Sequence, residues 1–191
     1  MSRRQHRMSR ERILQGANEI LDSGDYASLT VNALARALHI SKSTLYKYFS
    51  SKEEIIVALV RAACDEAEKE LDRTMRRGDV ADQLRGLAVV IGRHGQRLPR
   101  AVLLELEKLP ASSADRVRRT RAAFSAAAHR TFERGVARKE LRTTDPQVGA
   151  TAFAAACDAV LVDGAGEGLT DYGRRVEQVP DLFLRGIGRK A

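Results

Sequence analysis

Apolar residues recur with helical spacing from one end of the chain to the other, and no segment alternates polar and β-branched residues as a strand does. In the first stripe, the spacing i, i+4, i+7 and i+8 places four apolar side chains on one helix face: Ile13, Ala17, Ile20 and Leu21. Ser9 can cap this helix and Gly24 can end it. The pattern predicts an all-α protein.

Three more helix starts carry capping residues of their own. Thr30 can cap a short second helix, and Ser41 can cap a third. Ser51 and Glu54 have the spacing of a capping box, with serine at the N-cap and glutamate at N3, which opens a long helix to about residue 77. Four helices are therefore predicted from their own end signals.

Glycine and proline residues divide the rest of the chain. Between them we predict helices at about 80–96, 100–108, 112–139, 146–164 and 171–188. Pro180 falls inside the last of these. It either kinks that helix or begins a new one, because an interior proline loses a hydrogen bond and clashes with the preceding turn.

The chain of 191 residues has a net charge of +8, and the excess is concentrated near its N-terminus. Through Lys52 there are nine Lys or Arg residues and four Asp or Glu residues, which give this part a net charge of +5. A polyanionic partner is therefore expected to meet this segment first. A surface kept basic for solubility is the alternative.

The sequence also argues against several classes of protein. The longest stretch without a charged residue or histidine, 146–157, has 12 residues, whereas a membrane-spanning helix needs about 18. Glu11 and Arg12 stand where a signal peptide needs apolar residues. We expect a cytoplasmic protein that makes no membrane contact. Cys64 and Cys157 form no CxxC pair, so we expect no structural disulfide.

Metal and catalytic sites are not expected. The four histidines have neither HExxH nor Cys/His ligand spacing. The glycine-rich segment 163–168 follows a helical pattern rather than a strand, so it is read as a connector and not as a dinucleotide loop. No GxSxG or P-loop motif is present. We predict no cofactor, no metal site and no enzymatic activity.

Two short predicted helices, Thr30–Leu38 and Lys42–Phe49, have the dimensions of a helix-turn-helix, whose second helix enters the DNA major groove. If Leu45 and Phe49 face the core, the opposite face presents groups that can donate to phosphates and base edges: Lys42, Ser43, Tyr46 and Lys47, with Tyr48 at the edge. No Asp or Glu lies between Val31 and Ser51 to repel phosphates. An ordinary solvated helix hairpin is the alternative.

The same segment resembles the helix-turn-helix signature of the TetR family of bacterial transcriptional regulators. The match runs without a gap over about residues 9–60. It is carried by Thr30-Val31-x-x-Leu34-Ala35 and by the run ISKSTLYKYF-x-SKEE, which begins at Ile40. The resemblance implies a three-helix DNA-binding domain over residues 1–50 and a helical ligand-binding and dimerisation domain over 51–191.

The resemblance also implies which residues contact double-stranded DNA. Contacts to bases or nearby backbone would come from Lys42, Ser43, Tyr46 and Lys47, and contacts to phosphates from Thr30, Thr44, Tyr48 and Lys52. Asn32 occupies a position that reads a base in some members. We expect an N-terminal arm with Arg3, Arg4 and Arg7 to add affinity that does not depend on DNA sequence.

Two residues depart from the family pattern. His39 stands where a turn glycine is usual, and histidine is among the non-glycine residues that tolerate a positive φ. Ser43 replaces another frequent glycine and puts a hydroxyl at the groove. We expect these changes to alter the preferred DNA sequence and to leave binding intact.

The predicted helix over 146–162 is apolar almost all round, so it must be covered on more than one side. Its own core can cover one side, and a second subunit the other. We predict a homodimer through the last two long helices, with these residues in or near the interface: Phe153, Val160, Val179 and Phe183. A twofold dimer binds an inverted repeat in the DNA.

The family resemblance implies a repressor that a small-molecule effector, bound among helices at about 80–139, releases from its operator. The candidate ligand-binding residues are His94, Glu105, Phe124, His129 and Phe132. Because aromatic residues make up 5% of the chain and tryptophan is absent, an aliphatic or amphipathic effector is favoured over a flat aromatic one. The alternative is a DNA-binding protein of the same fold that needs no effector and acts architecturally or through a protein partner.

Overall fold

The computed structural model describes residues 8–97, 102, 106–142, 145–163 and 175–187. These described residues form eight α-helices and no β-strand, which confirms the predicted all-α fold. The helices are α1 Arg10–Ser23, α2 Val31–Ala37, α3 Lys42–Tyr46, α4 Lys52–Met75, α5 Val80–Arg97, α6 Ala111–Ala137, α7 Pro146–Asp163 and α8 Val179–Ile187. Short 3-10 turns lie at Tyr26–Ser28 and Leu106–Lys108.

The predicted capping residues begin their helices as expected. Four cap hydroxyls each accept a hydrogen bond from the backbone N–H three residues later: Ser9, Thr30, Ser41 and Ser51. In the predicted capping box, the Glu54 carboxylate accepts from the N–H of Ser50, at 2.7 Å, instead of from that of Ser51. The glutamate of the capping box therefore bonds to the residue before the N-cap and not to the N-cap residue itself.

One predicted helix boundary is wrong, since α3 ends at Tyr46 and not at Phe49. The N–H groups of Lys47 and Tyr48 donate to carbonyl oxygens three residues back, as in a turn. The last described helix begins at Val179, and Pro180 is its second residue. The predicted helix start near 171 lies outside the described residues. Of the two alternatives for Pro180 the structure therefore has the helix start, where a proline costs no hydrogen bond.

The chain divides into two compact units. The first takes its described residues from 1–62 and 98–115, and the second from 63–97 and 116–191. Of the three divisions between them, one falls within α4 and one within α6, and the third follows Arg97, the last residue of α5. The domain boundary expected after residue 50 stays a prediction.

The core of the first unit is built from the apolar stripes that the sequence predicts. Its fully buried side chains include Ile13, Leu21, Leu34, Leu45 and Phe49. α1 and α2 approach closely at Gly16, where an added Cβ would lie 2.8 Å from Leu38 Cδ2. This packing fixes the two helices that support α3.

The core of the second unit is centred on three phenylalanine rings. Phe153 lies 6.1 Å from Phe132 and 5.5 Å from Phe183, measured between ring centroids. α8 packs against α5 and α7. α7 also comes close to α6 at Gly149, because a Cβ there would lie 2.6 Å from the Phe132 ring. Side-chain size at these positions therefore sets the helix spacing.

Two findings concern hydropathy and the cysteines in the described part of the chain. None of the described helices is both long and apolar enough to span a bilayer. Cys64 and Cys157 are both buried as free thiols. Burial raises the pKa of the Cys157 thiol to about 12 and also raises that of Cys64.

Candidate nucleic-acid interface

The turn between α2 and α3 is closed by His39, the residue that replaces the usual glycine. His39 has φ 53°, in the left-handed region. Its N–H donates to the Arg36 carbonyl at 3.1 Å, and the N–H of Ile40 donates to the Ala35 carbonyl at 2.9 Å. These two bonds form a Schellman motif, which ends α2 and sets the direction in which α3 begins.

α3 presents a polar face to solvent and an apolar face to the core. Leu45 and Phe49 are each 1% exposed. The predicted recognition residues on the other side are all exposed: Lys42, Ser43, Tyr46 and Lys47. Tyr46, at 52%, is among the few large apolar side chains that stand out from the described surface. This face can donate hydrogen bonds from two ammonium groups and two hydroxyls.

One hydroxyl organises the start of α3. Ser41 Oγ accepts from the Thr44 N–H at 3.1 Å, and it lies 2.8 Å from both Ser43 Oγ and Thr44 Oγ1. The three side chains thus form a small hydrogen-bonded group at the helix N-terminus, where backbone N–H groups point outward and favour an anion. Thr44 is half-buried, while Ser41 and Ser43 are exposed.

The end of α3 is tied to α1 by Arg10, a residue that the sequence analysis missed. Arg10 Nη1 donates to the Tyr48 carbonyl at 2.6 Å, and its guanidinium lies 4.1 Å from the centroid of the Phe49 ring. Arg10 Nη2 also pairs with Glu54 at 3.2 Å. The Ser50 N–H and hydroxyl, and then Arg10, hold the pKa of Glu54 below its usual range. The carboxylate therefore stays charged at neutral pH.

Two of the predicted phosphate contacts, Tyr48 and Lys52, donate to backbone carbonyl groups of the first unit. The Tyr48 hydroxyl donates to the Met8 carbonyl at 2.7 Å. Lys52 Nζ donates to the Tyr26 carbonyl at 2.5 Å and lies 4.0 Å above the Tyr26 ring. Tyr48 and Lys52 are half-buried. The bond to the Tyr26 carbonyl and the position of the ammonium group over the Tyr26 ring together hold Lys52 in place.

Of the other predicted DNA contacts, Thr30 and Asn32 are both exposed at the start of α2. Thr30 uses its hydroxyl as the cap of that helix, with Oγ1 3.0 Å from the Ala33 N–H. The arm residues Arg3, Arg4 and Arg7 lie outside the described residues.

The candidate ligand-binding residues belong to the second unit, apart from Glu105, which lies outside the described residues. Phe132 is fully buried in the core, and Phe124 packs against the same core. His94 is 6% exposed, with Nε2 2.8 Å from Glu70 Oε2. His129 is half-buried and lies 3.2 Å from Glu133, one turn further along the same helix.

The candidate interface residues have different degrees of burial in the single chain. Phe153 and Val179 are buried in the core of the second unit, while Val160 and Phe183 are half-buried against it. Among the described residues of this unit, the exposed large apolar side chains are Val148 on α7 and Leu182 on α8, at 62% and 72%. The periodicity of the sequence did not identify either residue as exposed, because an almost uniformly apolar helix does not show which side faces its own core.

The described residues contain no group of three or more His, Cys, Asp or Glu that could hold a metal ion.

The described residues of the first unit form a helix-turn-helix whose second helix has a basic, hydroxyl-rich face. This arrangement defines a DNA-binding protein. Residues 13–59 match the family described as bacterial regulatory proteins, tetR family, and residues 83–172 match the AefR-like transcriptional repressor, C-terminal domain. The chain belongs to the TetR family of bacterial transcriptional regulators.

Individual relatives agree with this assignment. An uncharacterized HTH-type transcriptional regulator of Mycobacterium tuberculosis is 37% identical over 60 residues, which are 31% of this chain and 30% of the relative. The chain thus matches less than a third of that curated relative's length.

Two solved structures show the same fold over nearly the whole chain. The TetR family regulator PfmR of Thermus thermophilus has a TM-score of 0.79 at 23% identity, over 93% of this chain and 100% of PfmR. FadR of Bacillus subtilis, solved in complex with stearoyl-CoA, has a TM-score of 0.72 at 15% identity, over 94% of this chain and 100% of FadR.

Proposed function

We propose that this protein is a homodimeric transcriptional repressor that binds an inverted-repeat DNA site and leaves it when a small molecule binds to the second unit. The observation that carries the proposal is the exposed face of α3, where Lys42, Ser43, Tyr46 and Lys47 point away from the buried Leu45 and Phe49. No carboxylate from Val31 to Ser51 opposes a phosphate there. Such a face fits the major groove.

The residues of the interface divide into two roles. Lys42 and Ser43 stand at the first turn of α3, which in a helix-turn-helix is the end that meets base edges. Lys47 and Lys52 supply charge for the phosphate backbone, with Lys52 held over Tyr26. Lys42 and Ser43 are therefore assigned to sequence preference, and the two other lysines to general affinity.

Residues 1–50 are assigned to DNA binding and residues 51–191 to regulation and dimerisation. The arm with Arg3, Arg4 and Arg7 is assigned to contacts with the DNA backbone beside α3. The support is the anchoring of Met8, whose carbonyl accepts from the hydroxyl of Tyr48 just beyond α3. Met8, which follows the arm in the chain, is therefore held next to the recognition helix.

Dimer formation is assigned to α7 and α8. Val148 and Leu182 expose large apolar side chains that a second copy would remove from water. Phe183 and Val160 are half-buried and lie on the same two helices, so a partner can complete their burial. Phe153 and Val179 support this surface from the core behind it.

The effector is assigned to an aliphatic or amphipathic class. The core of the second unit is lined mainly by aliphatic side chains, and its aromatic residues Phe132, Phe153 and Phe183 pack on one another. FadR, which has the same fold, was solved with a long-chain acyl thioester, stearoyl-CoA. The residues His94, Glu105, Phe124, His129 and Phe132 remain the candidates for contact with the effector.

The test begins with selection of binding sites from random duplex DNA by the full-length protein. Recovery of an inverted repeat with half-sites about 34–36 Å apart, or a multiple of that, supports a dimer that places two α3 helices in successive grooves. Aliphatic and flat aromatic compounds are then screened for release of that site. If no DNA sequence is enriched, sequence-specific DNA binding is contradicted. If no compound releases the protein from its site, the effector-independent alternative is favoured.

A further inference from the structure

Two buried side-chain nitrogens in the described part of the second unit lack a hydrogen bond, Arg134 Nη2 and His94 Nδ1, and of these only the histidine nitrogen can accept one. His94 on α5 is 6% exposed, and its Nε2 lies 2.8 Å from Glu70 Oε2 on α4. Its other ring nitrogen, Nδ1, is buried and has no hydrogen-bond partner in the described part of the chain. A buried polar atom without a partner lowers the stability of the fold, so native proteins seldom keep one without a use for it.

The partners of Glu70 decide which nitrogen of His94 carries the proton. Glu70 accepts from Arg93 at one carboxylate oxygen and faces His94 Nε2 with the other. Because a carboxylate can only accept, Nε2 of His94 must carry a proton. In the neutral imidazole, Nδ1 then has a lone pair, and its partner must bring a hydrogen-bond donor.

Buried aliphatic residues neighbour this pair along both helices. One turn before His94 on α5 lies Val90, which is 1% exposed. Ala67 and Leu71 flank Glu70 on α4, and they are 3% and 5% exposed. A ligand that reaches Nδ1 is therefore expected to carry aliphatic groups as well as the group that bonds to the nitrogen.

We propose that His94 Nδ1 is the polar anchor of the effector site and that the effector is an aliphatic molecule with a hydroxyl group. This inference rests on the proposed function, since it assigns the ligand chemistry of the same regulatory unit. A hydroxyl donates to the lone pair and adds no charge to a place where Glu70 is already matched by Arg93. A carboxylate would need a second proton on His94 and would add a third charged group beside that pair.

Thr131 provides the control for His94. It is fully buried in the same unit. Its hydroxyl donates to the Ala127 carbonyl at 3.0 Å and lies 3.4 Å from Gln83 Oε1. Replacement of Thr131 by valine therefore removes a buried polar group whose hydrogen bonds are already made within the chain.

The experiment compares octanol with its isomer heptyl methyl ether, which has the same size but cannot donate a hydrogen bond, and with octanoate. Binding to the full-length protein is followed by calorimetry and by the imidazole nitrogen signals in NMR. We expect octanol to shift the Nδ1 signal of His94 and the ether to leave it in place. His94→Leu should weaken octanol binding roughly tenfold, the effect of one buried hydrogen bond, and Thr131→Val should not change it.

Equal binding of octanol and the ether, or an unshifted His94 signal with octanol bound, would overturn the assignment. So would preferred binding of octanoate with both ring nitrogens protonated. The NMR arm uses the unmutated chain, so it decides the question even if His94→Leu does not fold. DNA binding is measured separately: release of the operator by a compound that leaves His94 unaffected would reject this inference and retain the proposed function.

Discussion

Arg116 on α6 holds the carboxylate of Glu68 on α4 in a two-pronged ion pair. Nη2 lies 2.8 Å from Oε2, and Nη1 binds Oε1. Asp65 accepts a further bond from Nη2 at 2.6 Å, and the Thr120 hydroxyl donates to Glu68 at 2.8 Å. The planar guanidinium matches the carboxylate fork, so this cluster fixes how α6 lies against the middle of α4.

Arg116→Ala should lower the free energy of unfolding by about 1–2 kcal/mol, because it leaves two neighbouring carboxylates without their shared cation. The value is set below that of a buried pair, since the Arg116 side chain is 23% exposed. Urea unfolding followed by circular dichroism measures it. Arg119→Ala, at an exposed position on the same helix, is the control and should stay within about 0.5 kcal/mol of the parent. Equal effects of the two variants would contradict the role of the cluster.

The same cluster makes stability depend on pH. Hydrogen bonds from Arg116 hold the pKa of Glu68 below its ordinary value of 4.5, against burial, which raises it. The unfolded chain therefore takes up this proton at a higher pH than the folded one. The stabilisation is complete above about pH 4.5 and is lost as the pH falls through the lower folded pKa.

Glu68→Gln should accordingly flatten the fall of unfolding free energy between about pH 5 and pH 2. Thermal unfolding over this range provides the measurement. Glu107→Gln, at an exposed position of the first unit, should keep the slope of the parent protein. If the unfolding free energy of the Glu68→Gln variant falls with pH as steeply as that of the parent protein, the ion pair adds nothing to acid sensitivity.

His39→Gly should stabilise the protein by about 0.5–1 kcal/mol, because glycine adopts φ 53° without the steric cost that histidine bears. The gain is partly offset by the greater freedom of glycine in the unfolded chain. Ala37→Gly, two residues earlier and inside α2, should destabilise by about 1 kcal/mol. If both substitutions destabilise, the backbone of His39 is not strained.

Local signals predicted most of the first unit. Ser9, Thr30, Ser41 and Ser51 cap helices because each bond joins residues three apart, and His39 closes a turn through its own φ. Such local signals could not predict the contacts that hold α3 in place. Arg10 meets Tyr48 across 38 positions of sequence, and a lone arginine in a basic segment does not show its partner.

The second unit was harder to predict for the same physical reason. Arg116 and Glu68 are separated by 48 positions, and each is one of many charged residues on a long helix. Val148 and Leu182 are exposed on helices whose apolar residues face several directions. Periodicity predicts a buried face only when the opposite face is polar.

Lys52→Ala should flatten the dependence of DNA affinity on salt by about 0.9 in the log–log slope, if Lys52 neutralises one phosphate. It should also destabilise the first unit, since it removes the contacts with the Tyr26 carbonyl and ring. Fluorescence anisotropy at several salt concentrations gives the slope. Lys69→Ala, an exposed lysine on the same helix but in the second unit, removes the same charge and should leave the slope unchanged. A slope unaltered by Lys52→Ala would limit Lys52 to its structural contact.

Leu182→Glu should convert the proposed dimer into monomers, because it puts a charge into the apolar surface that α7 and α8 are proposed to offer a second copy. Leu182 is 72% exposed in the single chain, so the substitution leaves the core intact and the monomer should stay folded. Sedimentation velocity at micromolar concentration separates the two states. Ser125→Glu, at an exposed position of α6, should remain dimeric.

The isolated Leu182→Glu monomer should also lose affinity for the inverted repeat and keep weak binding to a half-site, since each α3 then acts alone. A parent protein that sediments as a folded monomer would reject the dimer, and with it the inverted repeat as the preferred site.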